Sequence, residues 1–180
     1  DQDGPGPDTP HGSASPSLGV FEQQQLLMNR TKVTGNLVTF SQPWLAKVSG
    51  CTNNTDRNGT RLNETEVARV QCAHGAFTVY FVEYRSVADR DKARTRVMSQ
   101  NVDARTLTPG VGEPSVNRNG LNGNYVEYAY TVGSDQPRTV CAIWWDSTAE
   151  PVAAYMLGYW TEGVGQKWEP LRDLWARGNR

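Results

Sequence analysis

Histidine, the side chain best suited to proton transfer near neutral pH, occurs only twice, as His11 and His74. A Ser–His–Asp site needs a histidine base beside its nucleophile. His11 falls in an opening stretch rich in Pro, Gly and Ser, and His74 in a tight Ala73-His74-Gly75 turn between two strand-like runs. Neither is placed to serve as a base, and a cysteine nucleophile would need the same scarce residue. The cysteines are Cys51, Cys72 and Cys141, with no Cys-x-x-Cys pair. A structural zinc site wants four Cys/His ligands, usually in close pairs, so no metal is expected. Asp89 and Asp91 stand two apart on a helical stretch and so point to different faces. They read as acids favoured by a helix N-terminus. Thr108-Pro109-Gly110-Val111-Gly112 lacks the Gly-Lys-Ser/Thr of a P-loop and is not a dinucleotide fingerprint. No catalytic residue and no cofactor is expected.

The aromatic residues are more suggestive: six tryptophans and seven tyrosines. Trp144 and Trp145 are adjacent on a strand-like run, so one points to each face. If one face of the sheet is open, the outward tryptophan lies there, near Tyr80 or Tyr84. Trp144, Trp145, Tyr80 and Tyr84 are therefore the candidate ligand-binding residues, since an exposed aromatic patch on a sheet is a binding surface. The alternative is that both tryptophans are covered, as large aromatics usually are.

The elements that must position these residues show an internal echo. Residues 78–89 (TVYFVEYRSVAD) align without a gap to residues 139–150 (TVCAIWWDSTAE). In each, a β-branched and aromatic run predicts a strand. A serine then stands three residues before an acid, the capping-box spacing that starts a helix. Helices are expected over about 87–100, with Ala93 and Val97 inward, and about 148–163. In the second, Ala149, Val152, Ala153, Met156 and Trp160 make one apolar stripe, and Pro151 falls in the first turn. A strand precedes each copy, at 66–72 (EVARVQC) and 124–132 (NYVEYAYTV). The expected fold is α+β: two ββα repeats, at about 66–100 and 124–163, forming one antiparallel sheet with the helices packed on one face. Elsewhere, 21–28 reads as a short helix, 32–40 as a strand, 101–123 as a Gly/Asn/Pro-rich loop, and Trp168, Leu171 and Trp175 as one face of a last helix. Residues 1–17 read as a flexible linker, too polar to fold, ahead of a single domain over 18–180.

Lys plus Arg number 18 and Asp plus Glu 19, a balance that gives no electrostatic case for nucleic acid. No apolar run approaches the roughly 20 residues that span a bilayer. The chain opens at Asp1 without a signal peptide, which suggests that a signal peptide, an anchor or another domain was removed upstream. Cys51 sits in a turn-rich loop and Cys72 at the end of a strand, so a disulfide closing that loop is the natural pairing; three free thiols is the rival. Cys141, inside an apolar strand, reads as an inert buried thiol. Asn29, Asn53, Asn58 and Asn63 each begin an Asn-x-Thr acceptor, read here as chance products of an Asn/Thr-rich loop.

The Cys51 loop, EVARVQC (66–72), TVYFVEYRSVADRDKAR (78–94), the Gly-rich middle and AIWWDSTAEP…WTEGVGQKWEPLRDLW (142–175) together resemble a known family. It is that of the extracellular sensor-type domains of actinobacterial receptor serine/threonine kinases and related secreted or lipid-anchored proteins. The likeness covers most of residues 45–176 and carries no catalytic residues. It implies an extracytoplasmic location, a Cys51–Cys72 disulfide and a membrane anchor on the N-terminal side. The expected function is thus a non-catalytic extracytoplasmic sensing or ligand-binding domain of a membrane-anchored protein, possible partners being a small molecule, a cell-wall fragment or another protein. Two other classes make distinct forecasts. A secreted enzyme predicts a deep pocket with clustered polar side chains and a shifted pKa. A dimerising interaction module predicts a contiguous apolar patch.

Overall fold

The computed structural model describes residues 18–179; the linker expected over residues 1–17 lies outside them. The described residues form an α+β fold around one antiparallel seven-stranded sheet. The strands are β1 (Ser49–Asn53), β2 (Glu66–His74), β3 (Phe77–Tyr84), β4 (Ser115–Val116), β5 (Asn124–Val132), β6 (Arg138–Asp146) and β7 (Val152–Tyr159). Their order across the sheet is β1-β2-β3-β7-β6-β5-β4. The helices are α1 (Val20–Arg30), α2 (Leu37–Ser41), α3 (Val87–Leu107) and α4 (Glu169–Gly178).

In the first half of the echo two strands and a helix follow in the expected order, but α3 runs on to Leu107, through the start of the stretch read as a loop. The hairpin β2–β3 turns at Gly75 (φ 57°), and the Ser86 hydroxyl accepts the Asp89 N–H at 3.0 Å to start α3, a working N-cap. Arg90, Ala93, Val97, Asn101 and Ala104 make the buried stripe of α3.

The second half differs. Residues 152–159 form strand β7, not a helix, so the second copy is βββ. This strand is central, paired to β3 on one side and β6 on the other. Val152, Ala154 and Met156 face one way and Ala153, Tyr155 and Leu157 the other, all inside the two core clusters or packed against them. A strand buried on both faces shows an unbroken apolar run, which periodicity alone cannot separate from a buried helix. Ser147 and Glu150, the pair read as a capping box, instead sit in the β6–β7 turn. Their carbonyls accept from the guanidinium of buried Arg90, which clamps that turn to α3.

Helices also cover both faces rather than one. The stretch 32–40, read as a strand, instead holds turns and the start of α2, entered through Gly35 at φ 57°. On one face α1, α2 and α4 bury Trp44, Trp145, Trp168, Leu171 and Trp175 against Val79, Phe81, Ile143 and Met156. Trp168, Leu171 and Trp175 share this face as expected, and 21–28 lies inside α1. On the other face α3 covers Val82, Tyr84, Val126, Tyr128, Ala142 and Trp144. The outer side of α1 leaves Val20, Phe21, Leu27 and Met28 exposed. No described helix is long and apolar enough to cross a membrane.

Cys51 and Cys72 form a disulfide between β1 and β2, and Cys141 is a free, buried thiol. Burial pushes the Cys141 thiol up to about 12, so it stays protonated and unreactive at neutral pH. Thiol titration is expected to find one reactive group in denaturant without reductant and none at comparable speed in the native protein. Three thiols would contradict the disulfide.

Candidate binding cavity

Tyrosine dominates the sheet face under α3, and strand pairing sets its layout. One cross-strand row runs Gln71–Tyr80–Tyr155–Trp144–Val126 over five strands. The Tyr80 and Tyr155 rings stack at 4.9 Å, and Tyr155 lies parallel to Trp144 at 6.4 Å. The neighbouring strand β5 adds Tyr128 and Tyr130, 6.2 Å apart. α3 buries the β5–β6 side of this face but leaves Tyr80, Tyr155 and Leu157 only partly covered. The step between the covered and open parts is a cavity of about 270 Å³.

A local irregularity supplies the cavity's charge. Between Glu66 and Ala68 the β2–β3 register shifts, so Glu66 pairs with Tyr84 while Ala68 pairs with Glu83. Such a bulge re-aims a side chain: Glu66 joins Tyr84 and Arg69 on the cavity face instead of following Ala68 into the opposite core. Arg69 donates to Glu66 at 3.0 Å, to the Thr60 hydroxyl at 2.9 Å and to the Tyr155 hydroxyl. Its guanidinium lies over the Tyr80 ring at 4.8 Å. Asn63 bonds the same Glu66 carboxylate through its backbone and side-chain N–H groups, both at 3.1 Å. Each of the three Arg69 guanidinium nitrogens thereby donates one hydrogen bond. Across the cavity α3 contributes Arg96 and Gln100, and Arg96, exposed, makes no ion pair with a described residue.

Tyr84 and Tyr128 are each 5% exposed and line this cavity, yet no described residue hydrogen-bonds to either hydroxyl. Neither hydroxyl is sealed off from solvent, in contrast to Trp44 Nε1, Ser115 Oγ and Trp175 Nε1, which are buried without a partner; both are therefore open to a partner that enters the cavity. Burial raises the pKa of both, the nearby Tyr155 adding to it. Tyr155 itself is pushed by burial up to about 12, with Arg69 pulling the other way. All three hydroxyls therefore keep their protons at neutral pH and serve as hydrogen-bonding groups, not bases.

The four residues singled out from sequence do not form one surface. Trp145 sits in the opposite core, with Trp44 at 5.5 Å, Phe81 at 6.4 Å and Trp175 at 6.3 Å. Trp144 is 2% exposed, covered by α3, and its indole N–H bonds to Asp146 at 2.9 Å. Arg94 and Asn124 hold the same carboxylate. Trp144 and Tyr84 line the cavity, and Tyr80 is reached through its stack on Tyr155. Sequence reading missed Tyr155, hidden by the helix assigned to its segment, and Arg69 and Glu66, whose shared face depends on the bulge. The alternating Tyr128 and Tyr130 were the available signal for β5.

A larger cleft of about 370 Å³ lies between α2 and the β6–β7 turn, but none of the residues around it is a buried polar group without a partner. His74 is half-buried at the end of β2. No group of three or more His, Cys, Asp or Glu side chains among the described residues could hold a metal ion. No protein-family model, no curated protein and no solved structure matches the chain.

Proposed function

We propose that this is a non-catalytic, extracytoplasmic ligand-sensing domain of a membrane-anchored protein, binding its ligand in the cavity between α3 and the tyrosine face of the sheet. The hydroxyls of Tyr84 and Tyr128 carry this reading: they line one cavity, make no hydrogen bond within the fold and stay open to the cavity's contents, so a ligand there can take the place of water as their partner. The Cys51–Cys72 bond supports an oxidising compartment. The retained protons on Tyr84, Tyr128 and Tyr155 favour recognition over acid–base chemistry. Attachment to a serine/threonine kinase rests on the sequence resemblance alone.

The test is the double variant Tyr84→Phe/Tyr128→Phe in a thermal-shift screen against cell-wall fragments and small metabolites. Without a ligand, the variant is expected to melt within a few degrees of the wild type or above it, since removing an unpaired hydroxyl costs little. A ligand present at a hundredfold excess over its dissociation constant stabilises the wild type by about 2.7 kcal/mol, and the variant should lose that gain. A ligand-free variant destabilised by more than about 2 kcal/mol would show that the hydroxyls are partnered within the fold, which removes the argument for the cavity.

A further inference from the structure

We infer that the ligand of this cavity is a small hydroxylated monoanion, of the chemical class of a sugar acid, whose charge pairs with Arg96 and whose hydroxyls bond to Tyr84 and Tyr128. The inference rests on the cavity being the binding site and adds what binds there. Size comes first: about 270 Å³ falls just below the usual range of ligand cavities and suits no more than one ring-sized molecule. Charge comes second. Arg69 and Glu66 neutralise one another at 3.0 Å, and Arg96, lacking an ion-pair partner, leaves a surplus of one positive charge. A monoanion balances it, whereas a more highly charged ligand would also face the Glu66 carboxylate.

Hydrogen-bonding type comes third. Tyrosine hydroxyls and the Gln100 amide both donate and accept, as sugar hydroxyls do. An apolar ligand would seal Tyr84 and Tyr128 away from water without partners, at a cost of several kcal/mol in a dry site. On the same sheet face the half-buried Tyr155 ring also lines the cavity, and it offers apolar surface for the C–H side of a sugar ring.

Isothermal titration of the whole chain with glucuronate, glucose, benzoate and inorganic phosphate tests this. Glucuronate should bind saturably, with glucose and benzoate at least about tenfold weaker, because each lacks either the charge or the hydroxyls. Arg96→Gln, on the exposed side of α3, should reduce glucuronate to the affinity of glucose without changing the melting temperature. Tyr84→Phe/Tyr128→Phe should weaken glucuronate and glucose alike. If glucose matches glucuronate, or Arg96→Gln leaves their ratio unchanged, no charge is read and the ligand class is wrong. The cavity would still stand, provided the double variant weakens the binding that is seen. Tighter binding of benzoate or phosphate, or no binding of any probe, also overturns the class. Glucuronate binding that the double variant leaves intact would place the site elsewhere and overturn both readings.

Discussion

Arg172→Met should destabilise the protein by about 3–5 kcal/mol at neutral pH, the cost of leaving a buried charge without its partner. Glu127 on β5 has no exposed surface and points away from α3, toward α4. Arg172 of α4 meets it with two nitrogens, at 2.7 and 2.8 Å. The Tyr125 hydroxyl and the Gly112 N–H add bonds of 2.6 Å each, and Arg172 also reaches the Gly110 carbonyl. This cluster ties the 108–112 loop, the sheet and the last helix together. Burial pushes the Glu127 carboxyl up, but the bonds from Arg172, Tyr125 and Gly112 together hold it below its ordinary value. A depressed carboxyl contributes stability that is complete above its unfolded pKa, about 4.3, and is lost as pH falls through the lower folded value. In Arg172→Met the carboxyl loses its main source of depression. The deficit should be largest at neutral pH and shrink in acid as Glu127 takes up a proton. Urea unfolding at both pH values reads it. A loss below about 1 kcal/mol at neutral pH would mean that the pair only breaks even against apolar packing.

Cys51→Ala/Cys72→Ala should cost about 3 kcal/mol, the loop-closure value for a cross-link at the observed separation of 21 residues. Local geometry says where the loss should appear. β1 is an edge strand held to β2 by few pairs, with a register shift between Ser49 and Thr52. Without the cross-link, hydrogen exchange should quicken first in β1 and the loop from 54 to 65, while β3 and β6 keep their protection. Uniform acceleration across the sheet would show that the bond acts on the whole fold rather than on its edge. A double variant as stable as the wild type would mean that the cross-link contributes nothing to holding this edge.

The strands that could be read from sequence were those with aromatic and β-branched residues in short runs: β2, β3, β5 and β6. α3 could be read because Ser86 and Asp89 form a working N-cap. β1 could not, since Ser-Gly-Cys-Thr-Asn has no strand preference and is held by pairing and the disulfide. β7 was misread because burial on both faces erases alternation. Gly158, where a side chain would meet the Phe77 ring at 2.7 Å, was the one local hint of close sheet packing. The cavity was half legible. Tyr84 and Trp144 stood out as aromatics on strands, but Tyr155 shared the fate of β7. Glu66 and Arg69 come together only through the bulge at Val67, which leaves no mark in composition.

The placement of β7 between β3 and β6 has a consequence for how the chain assembles. The β2–β3 hairpin and the β5–β6–β7 meander each join near neighbours, and such contacts close quickly. Only the β3–β7 seam, from Thr78↔Leu157 to Glu83↔Val152, unites them, across the whole of α3 and the loop beyond it, and its closure entropy makes it the natural late step. The cavity straddles that seam: Glu66, Arg69 and Tyr84 come from the early hairpin, Tyr128, Trp144 and Tyr155 from the meander. An occupant bridging the two sets would slow their separation, so its presence should register as a lower unfolding rate, with the rate of folding little changed.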